Sequence, residues 1–333
     1  MSRILELREK AKKQKKHIVL PEGEDPRVIR GAAYLADNGI AEVTLLGVLP
    51  EMKELASKEG VSLSGVDLVD PRRSEKKEEI VETYYGLRKS KGMAREEAEK
   101  AVLENFVLYG AIMTRLGYAD GFVAGASHTT ATIARAGIQC LTIDRNIGVV
   151  SSSFLMEIPN SSLGENGLFI YGDCAIIPYP KARQLAGIAI ATSDLFAKIM
   201  GADPRVALLS YSTKGSASSD SIETVREALE KIKEKRPDIL VDGELQVDAA
   251  LVPEVAEIKS PGSDVGGKAN VLIFPNLDAG NIAYKLTQRL CGARAVGPLM
   301  QGLDKPCSDL SRGCSWEDVV DTAAVTAIRA QEK

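Results

Sequence analysis

Hydrophobic and polar positions along this chain follow two periods, which together predict alternating strands and helices. Short runs rich in β-branched residues predict buried strands at 17–22, 42–47, 67–70, 119–126, 205–212, 239–245 and 270–275. Segments with apolar residues every three or four positions predict helices at 25–39, 49–60, 72–92, 94–117, 129–141, 182–200, 217–236, 248–258, 279–292 and 316–331. This alternation predicts an α/β protein with mostly parallel sheets and helices on both sheet faces.

The middle of the chain departs from this alternation. Two apolar segments, 148–159 and 167–178, have no long helix between them and predict an antiparallel hairpin. The length of 333 residues is about twice that of a usual domain. We therefore predict a first α/β domain formed by 1–145 with 298–333, which includes the last helix, and a second formed by 146–297.

Composition and charge narrow the possible functions. Hydrophobic residues make up 44% of the chain and charged residues 26%, a balance that can fill a sizeable core. The net charge of −4 argues against binding nucleic acid or an anionic membrane. The basic run at 10–16 is interpreted as the solvated end of a first helix. Neither a membrane span nor the apolar stretch of a signal peptide is visible, so we predict a cytoplasmic protein.

Cysteine and glycine spacing argues against several common sites. The five cysteines are an odd number without CxxC spacing, and the two histidines lie far apart, so neither a disulfide framework nor a metal site is predicted. No two glycines lie two residues apart, which excludes the GxGxxG dinucleotide motif. The phosphate-loop-like segment 262–269 has Ala269 where Ser or Thr would bind magnesium, and it precedes a predicted strand instead of a helix.

The segment DLSRGCSWED (309–318) is the most informative candidate site. Consecutive backbone N–H groups near Gly313, just before a helix, can bind an anion, and Arg312 adds a fixed cation. Ser315 and Asp318 also fit a capping box, which the spacing alone favours. The two interpretations conflict, because N–H bonds to a carboxylate lower its pKa and weaken it as a base.

Other polar residues directly follow predicted strands, where ligands of α/β sheets bind. Arg135 is the one formally charged residue between Asp120 and Asp144, and residues 127–130 open its helix. Hydroxyl and amide groups follow two later strands at 209–218 and 276–281. Arg88, at the end of a charged helix, is by itself typical of a solvated helix end.

Several of these segments together resemble the phosphate acetyltransferase (phosphotransacetylase) family. The matching segments are LSYSTKGSA, DGELQVDAA, PGS with GKANV, IFPNLDAGNIAYK and DLSRGCS, in this order, and the likeness covers nearly the whole chain. The resemblance implies two three-layer α/β domains with an interdomain cleft, similar to the isocitrate/isopropylmalate dehydrogenase-like fold. It also implies a homodimer.

The resemblance assigns catalytic roles to three residues. Asp318 matches the catalytic aspartate of the family, and Ser311 and Arg312 match its Ser-Arg pair. The coenzyme A thiol is only a few per cent ionised at neutral pH, so a base is useful. Asp318 would take the proton of this thiol. The thiolate would then attack acetyl phosphate directly, with Ser311 and Arg312 stabilising the oxyanion. Asp318 is therefore a candidate base, a candidate helix cap, or both.

Substrate binding is assigned in the same way. Arg88 and Arg135 match two further active-site arginines, and Thr130 matches a small hydroxyl residue. Some family members carry a cysteine at the position of Asn160, so this chain argues against a cysteine-dependent mechanism. We assign weaker cleft roles to Ser127, Ser212, Thr213 and Asn281.

The resemblance predicts transfer of an acetyl group between coenzyme A and phosphate, with no bound cofactor, no metal ion and coenzyme A as substrate. A phosphate butyryltransferase is the nearest alternative. The implied fold is shared with metal-dependent decarboxylating dehydrogenases, but we find neither their carboxylate cluster nor a nicotinamide site. A non-catalytic module that binds coenzyme A or phosphate is a third alternative, which the presence of Asp318 and both arginines disfavours.

Overall fold

A computed structural model describes residues 2–332, which divide into two compact units. The first unit extends to Thr142 and resumes at Leu303, and the second covers Ile143–Gly302. The predicted boundary after residue 297 would cut through a strand that the second unit keeps whole. That the units are independently folding domains remains a prediction.

The strands in the described residues are β1 His17–Leu20, β2 Glu42–Leu46, β3 Val66–Val69, β4 Gly121–Ala124, β5 Ser151–Glu157, β6 Leu168–Gly172, β7 Arg205–Leu209, β8 Leu240–Leu245, β9 Val271–Ile273, β10 Arg294–Gln301 and β11 Cys307–Asp309. The α-helices are α1 Arg3–Lys12, α2 Pro26–Asp37, α3 Leu49–Glu59, α4 Lys77–Arg88, α5 Arg95–Glu104, α6 Phe106–Leu116, α7 Thr130–Cys140, α8 Leu163–Asn166, α9 Ala182–Met200, α10 Asp220–Lys235, α11 Val247–Leu251, α12 Pro253–Lys259, α13 Leu277–Leu290 and α14 Trp316–Ala330. A single 3₁₀ turn, Lys89–Lys91, follows α4.

The first unit has a parallel sheet with the strand order β3-β2-β1-β4-β11. Helices α2 and α14 pack together and contact the sheet, and α6 and α7 form a second packed pair that also contacts it. Every residue of β4 is buried, as expected of a central strand with both faces covered. The predicted α/β class is confirmed.

Two details of the first unit differ from the prediction. The helix predicted at 94–117 is two helices, because Asn105 adopts an extended conformation and its side chain caps α6 by accepting the N–H of Val107. The sequence did not predict the short strand β11, since Cys-Ser-Asp lacks a β-branched run. Its pairing with Phe122–Ala124 of β4 makes it a strand.

The second unit has the strand order β10-β5-β6-β9-β7-β8. The predicted hairpin is confirmed, because β5 pairs antiparallel with β6. Strand β10, which the sequence did not predict, pairs antiparallel with β5 and carries an irregularity between Val296 and Leu299. Gly297 and Pro298 lie at that irregularity, and they interrupt the hydrophobic pattern that would have predicted a strand. The helix predicted at 248–258 is likewise two helices, α11 and α12, divided before Pro253.

Parallel pairing brings three loops of the first unit to one edge of its sheet. The segments after β1, β4 and β11 all leave the carboxyl ends of neighbouring strands. Ligands of α/β sheets bind at this edge, and the segments that carry Ser127, Thr130 and Ser311 follow β4 and β11 there. Among the described helices, none combines the length and the apolar character needed to cross a bilayer.

Candidate active site

Glu22, directly after β1, organises the loop that follows β4. Its buried carboxylate accepts the N–H groups of Gly125 and Ala126 at 2.8 and 2.9 Å, and those of Ser127 and His128 at 3.0 and 3.1 Å. His128 Nδ1 adds a contact of 2.7 Å. Burial alone would raise the pKa of Glu22, but His128 and the N–H groups together lower it. The same contact raises the pKa of His128.

Arg27 ties this loop to the one that follows β11. Its Nη1 donates to the carbonyl oxygens of Arg312 and Cys314 at 2.7 and 3.1 Å, and its Nη2 donates to that of Ala126 at 2.8 Å. Asp25, which also caps α2, fixes the guanidinium through an ion pair of 2.6 Å. One arginine therefore determines the spacing of two loops that carry predicted site residues.

The Ser311–Gly313 loop presents its polar groups outward. Ser311, Arg312 and Gly313 are exposed, and Ser311 Oγ accepts the N–H of Gly313 at 3.2 Å. Within residues 2–332 the Arg312 guanidinium makes no hydrogen bond or ion pair, although its backbone carbonyl is fixed by Arg27. A held backbone with a free cationic side chain suits recognition of an anionic ligand.

Asp318 forms the capping box that the spacing predicted. Its Oδ2 accepts the N–H of Ser315 at 2.8 Å, and Ser315 Oγ accepts the N–H of Asp318 at 3.2 Å. Among the described residues, Asp318 Oδ1 has no hydrogen-bond donor. The cap therefore uses one carboxylate oxygen and leaves the other available for chemistry.

Arg88, at the end of α4, and Arg135, on α7, both lie near Tyr84. Their charges lower the pKa of the Tyr84 phenol, although burial raises it overall. The Tyr84 hydroxyl donates to Gln139 of α7 at 2.8 Å, which joins the two helices. In the described part of the chain, Arg88 Nε is buried without a partner. Two neighbouring cations of this kind are stabilised by an anion between them.

Asp309 is a buried acid that the residue-by-residue assignment left out. It ends β11, two residues before Ser311, and lies beside Thr130, the first residue of α7. Its burial raises its pKa to about 7. Glu22, Arg27 and Asp309 were all missed. For Glu22, the available signal was an acidic residue at the end of an apolar predicted strand, a position where burial without function is rare. Asp309 gave no such signal, because Cys-Ser-Asp lacks an apolar strand pattern.

The predicted polar residues of the second unit are engaged in its own structure. Ser212 Oγ donates to Glu244 at 2.9 Å, Thr213 Oγ1 accepts the N–H of Gln246 at 2.9 Å, and Asn281 Nδ2 donates to the Cys174 carbonyl at 3.1 Å. In the first unit, Ser127 Oγ similarly donates to Glu24 at 2.9 Å.

Asn160, where some members carry a cysteine, is exposed in the turn between β5 and α8 with a φ of 57°. No group of three or more potential metal ligands occurs among residues 2–332.

The family model described as phosphate acetyl/butaryl transferase matches residues 3–327. The chain belongs to that family. It is 49% identical over 331 residues to a phosphate acetyltransferase of Thermoanaerobacterium thermosaccharolyticum, covering 99% of this chain and 100% of the relative. It is 51% identical to a phosphate acetyltransferase of Acetivibrio thermocellus, with 99% of each chain covered. The structure of a phosphotransacetylase from Streptococcus pyogenes has a TM-score of 0.91 at 40% identity and 98% coverage of both chains. The resemblance seen in the sequence is confirmed.

Proposed function

We propose that this protein is a phosphate acetyltransferase, which converts acetyl-CoA and phosphate into coenzyme A and acetyl phosphate, and the reverse. The observation that carries the proposal is full-length identity of 49% and 51% to relatives that bear this name. The first unit supports it with an exposed Ser-Arg-Gly loop, a carboxylate with an available oxygen and two neighbouring arginines.

In the proposed mechanism Asp318 is both helix cap and base. Its Oδ1 accepts the thiol proton of coenzyme A while Oδ2 remains on the Ser315 N–H. The thiolate sulfur attacks the carbonyl carbon of acetyl phosphate and forms the new C–S bond. Ser311 and Arg312 stabilise the oxyanion. The C–O bond to phosphate then breaks, and phosphate leaves with the electron pair, so acetyl passes directly to the thiol in a ternary complex.

Phosphate binding falls to Arg88, Arg135 and Thr130. The charges of both arginines reach Tyr84, so they lie in one region, and a bound phosphate would relieve their mutual repulsion. Thr130 adds a hydroxyl at the amino end of α7, where anions are favoured. Arg135→Ala should raise the KM for acetyl phosphate, and an unchanged KM would remove Arg135 from this role.

Ser127, Ser212, Thr213 and Asn281 retain only a predicted ligand role. Each makes a hydrogen bond within its own unit, so its loss would affect local structure as well as binding. Alanine substitutions that change stability without changing KM for either substrate would assign these residues to structure.

We also propose a cytoplasmic homodimer without nucleic-acid or membrane partners. Helix α13 exposes three apolar side chains four residues apart: Ile282, Leu286 and Leu290 are 57%, 52% and 80% exposed. Such a stripe on one helix face is typical of a protein–protein contact. Light scattering of the wild type and of Leu286→Asp measures the mass. A dimeric mass for both proteins, or a monomeric mass for the wild type, would contradict the proposal that this face of α13 forms the dimer contact.

The proposed activity is tested by the rate of thioester formation from coenzyme A with acetyl phosphate or butyryl phosphate, in chelator-treated buffer. Turnover that favours acetyl phosphate supports both the reaction and the predicted independence from a metal ion. A preference for butyryl phosphate would make the protein a phosphate butyryltransferase. Binding without turnover, followed by the fluorescence of Trp316, the single tryptophan of the chain, would support the non-catalytic module instead.

A further inference from the structure

Asp309 differs in its hydrogen bonding from Glu22, the other buried carboxylate near the loop that follows β4. It is completely buried, and within residues 2–332 neither of its carboxylate oxygens has a hydrogen-bond partner of normal geometry. Glu22, buried nearby, has four backbone donors and His128. Burial of an unpaired polar group destabilises a fold, so an unpaired buried carboxyl indicates a function.

Thr130 is a polar side-chain neighbour of Asp309. The Thr130 hydroxyl lies beside the carboxyl and favours its ionised form, as does the N–H of Leu310. On another side, Gly125 approaches so closely that a Cβ there would lie 2.2 Å from Asp309 Oδ1. Asp309 therefore occupies a tight space between the loop after β4 and the start of α7.

The charged groups around Asp309 favour its neutral form. Glu22 adds a negative charge, whereas the Cys307 thiol on the same strand is neutral, because burial raises its pKa. The neighbouring cations are engaged elsewhere: His128 contacts Glu22, and Arg329 of α14 donates to the Cys307 carbonyl and to Ser308 Oγ. Burial is the main reason that the pKa of Asp309 rises to about 7, and Glu22 contributes in the same direction.

The protonation state of Asp309 determines what Thr130 can do. An ionised carboxylate only accepts hydrogen bonds, so it would take the single hydrogen of the Thr130 hydroxyl. A neutral carboxyl instead donates its own hydrogen to Thr130 Oγ1, which frees the threonine hydrogen for an anion. Ionised Asp309 would also place a negative charge behind that anion.

We propose that Asp309 is a positioning residue that, in its neutral form, donates a hydrogen bond to Thr130 and directs the Thr130 hydroxyl toward the phosphoryl group. This inference rests on the proposed function, which assigns Thr130 to phosphate binding. It makes anion binding dependent on a proton held at Asp309. Affinity then falls with the fraction of protein in the binding-competent, protonated form.

The test compares the wild type with Asp309→Asn, in which the amide always donates to Thr130. We would measure the KM for acetyl phosphate and, through Trp316 fluorescence, the Kd for sulfate, a dianion that does not titrate in this range. Between about pH 6 and about pH 8.5 both constants should rise about thirtyfold in the wild type, because the protonated fraction falls. In Asp309→Asn the rise should be lost. An equal rise in the variant would overturn the proposal.

A matched control is Asp120→Asn, because Asp120 precedes β4 at the opposite edge of the same sheet and accepts the His17 N–H. It should keep the wild-type pH dependence, whereas loss of that dependence would make the effect nonspecific and contradict the proposal.

Thr130→Val provides a second variant if Asp309→Asn does not fold. It removes the hydroxyl between Asp309 and the anion, so the pH dependence of the sulfate Kd should shrink to the part that comes from the charge of Asp309 alone. A pH dependence as large as that of the wild type would refute the relay. Because the sulfate titration requires no turnover, an absence of acetyl transfer in the wild type would count against the proposed function and leave this test intact.

Discussion

Two buried carboxylates, Asp309 of the first unit and Glu244 of the second, lie at or near strand ends and have opposite surroundings. Glu244 accepts Ser212 Oγ at 2.9 Å, the Gly215 N–H at 2.8 Å and two Arg226 nitrogens at 3.0 Å. These bonds outweigh burial and lower its pKa to about 2. Asp309 has no hydrogen-bond partner of normal geometry in the described residues, and its pKa rises to about 7.

The difference shows how a buried acid can be assigned to structure or to function. A saturated carboxylate is fixed in its ionised form and holds loops together, whereas an unsatisfied one can exchange a proton or accept a ligand. The predicted polar residues follow the same division. Ser212 and Thr213 form hydrogen bonds within the second unit. In the described chain, Arg312 and Arg88 of the first unit have unpaired guanidinium atoms. Substitutions should thus affect mainly activity in the first unit and stability in the second.

The largest effect is expected at Asp318. Asp318→Asn removes the proposed base but retains an oxygen that can cap α14, so kcat should fall about 10²- to 10⁴-fold with little change in KM. Ser315→Ala is the matched control. It removes the hydroxyl of the capping box and should lower the free energy of unfolding by about 1 kcal/mol while most of kcat remains. Steady-state kinetics measure kcat, and urea unfolding measures the free energy of unfolding. A near-normal kcat in Asp318→Asn would contradict the role of Asp318 as base and leave only its role as helix cap.

The second prediction concerns acid stability and Glu244. Its folded pKa of about 2 lies below the ordinary value of 4.5, so its stabilisation is present above about pH 4.5 and is lost as the pH falls toward 2. The shift corresponds to about 3 kcal/mol at most. Glu244→Gln should remove this part of the pH dependence in urea unfolding between about pH 2 and about pH 5.

The control for Glu244 is Glu223→Gln. Glu223 also pairs with Arg226, but its side chain is 54% exposed, so its loss should change stability little. If Glu223→Gln reduced the acid dependence as much as Glu244→Gln, the surface charge of this region, and not the buried network, would be responsible.

The smallest expected effects compare two glycines. Gly125 has a φ of +124°, and a Cβ there would meet Asp309 and Leu310 at 2.2–2.6 Å. Gly215 has a φ of +88° with its nearest neighbour at 3.8 Å. Gly125→Ala should cost about 3 kcal/mol and Gly215→Ala about 1 kcal/mol, because only the first adds a clash to backbone strain. Thermal unfolding compares them, and equal losses would mean that the space around Asp309 can expand.

Much of the fold could be predicted because its signals are local. The β5–β6 hairpin and the Ser315–Asp318 cap depend on residues close together in the chain, and both are present. Strand β11 was missed because its strand character comes from β4, about 185 residues earlier in the chain. Asn105 was missed as a break because apolar periodicity continues on both sides of it.

The sequence by itself determined the α/β class, the family and the segment that holds Ser311, Arg312 and Asp318, since each depends on short-range pattern or on whole motifs. Only the tertiary structure showed what holds that segment in place. Arg27 reaches Arg312 across 285 positions, and Glu22 reaches the loop after β4 across more than 100. Whether an acid is satisfied depends on donors brought together by folding, and for that reason only the structure distinguished Asp309 from Glu22 and Glu244.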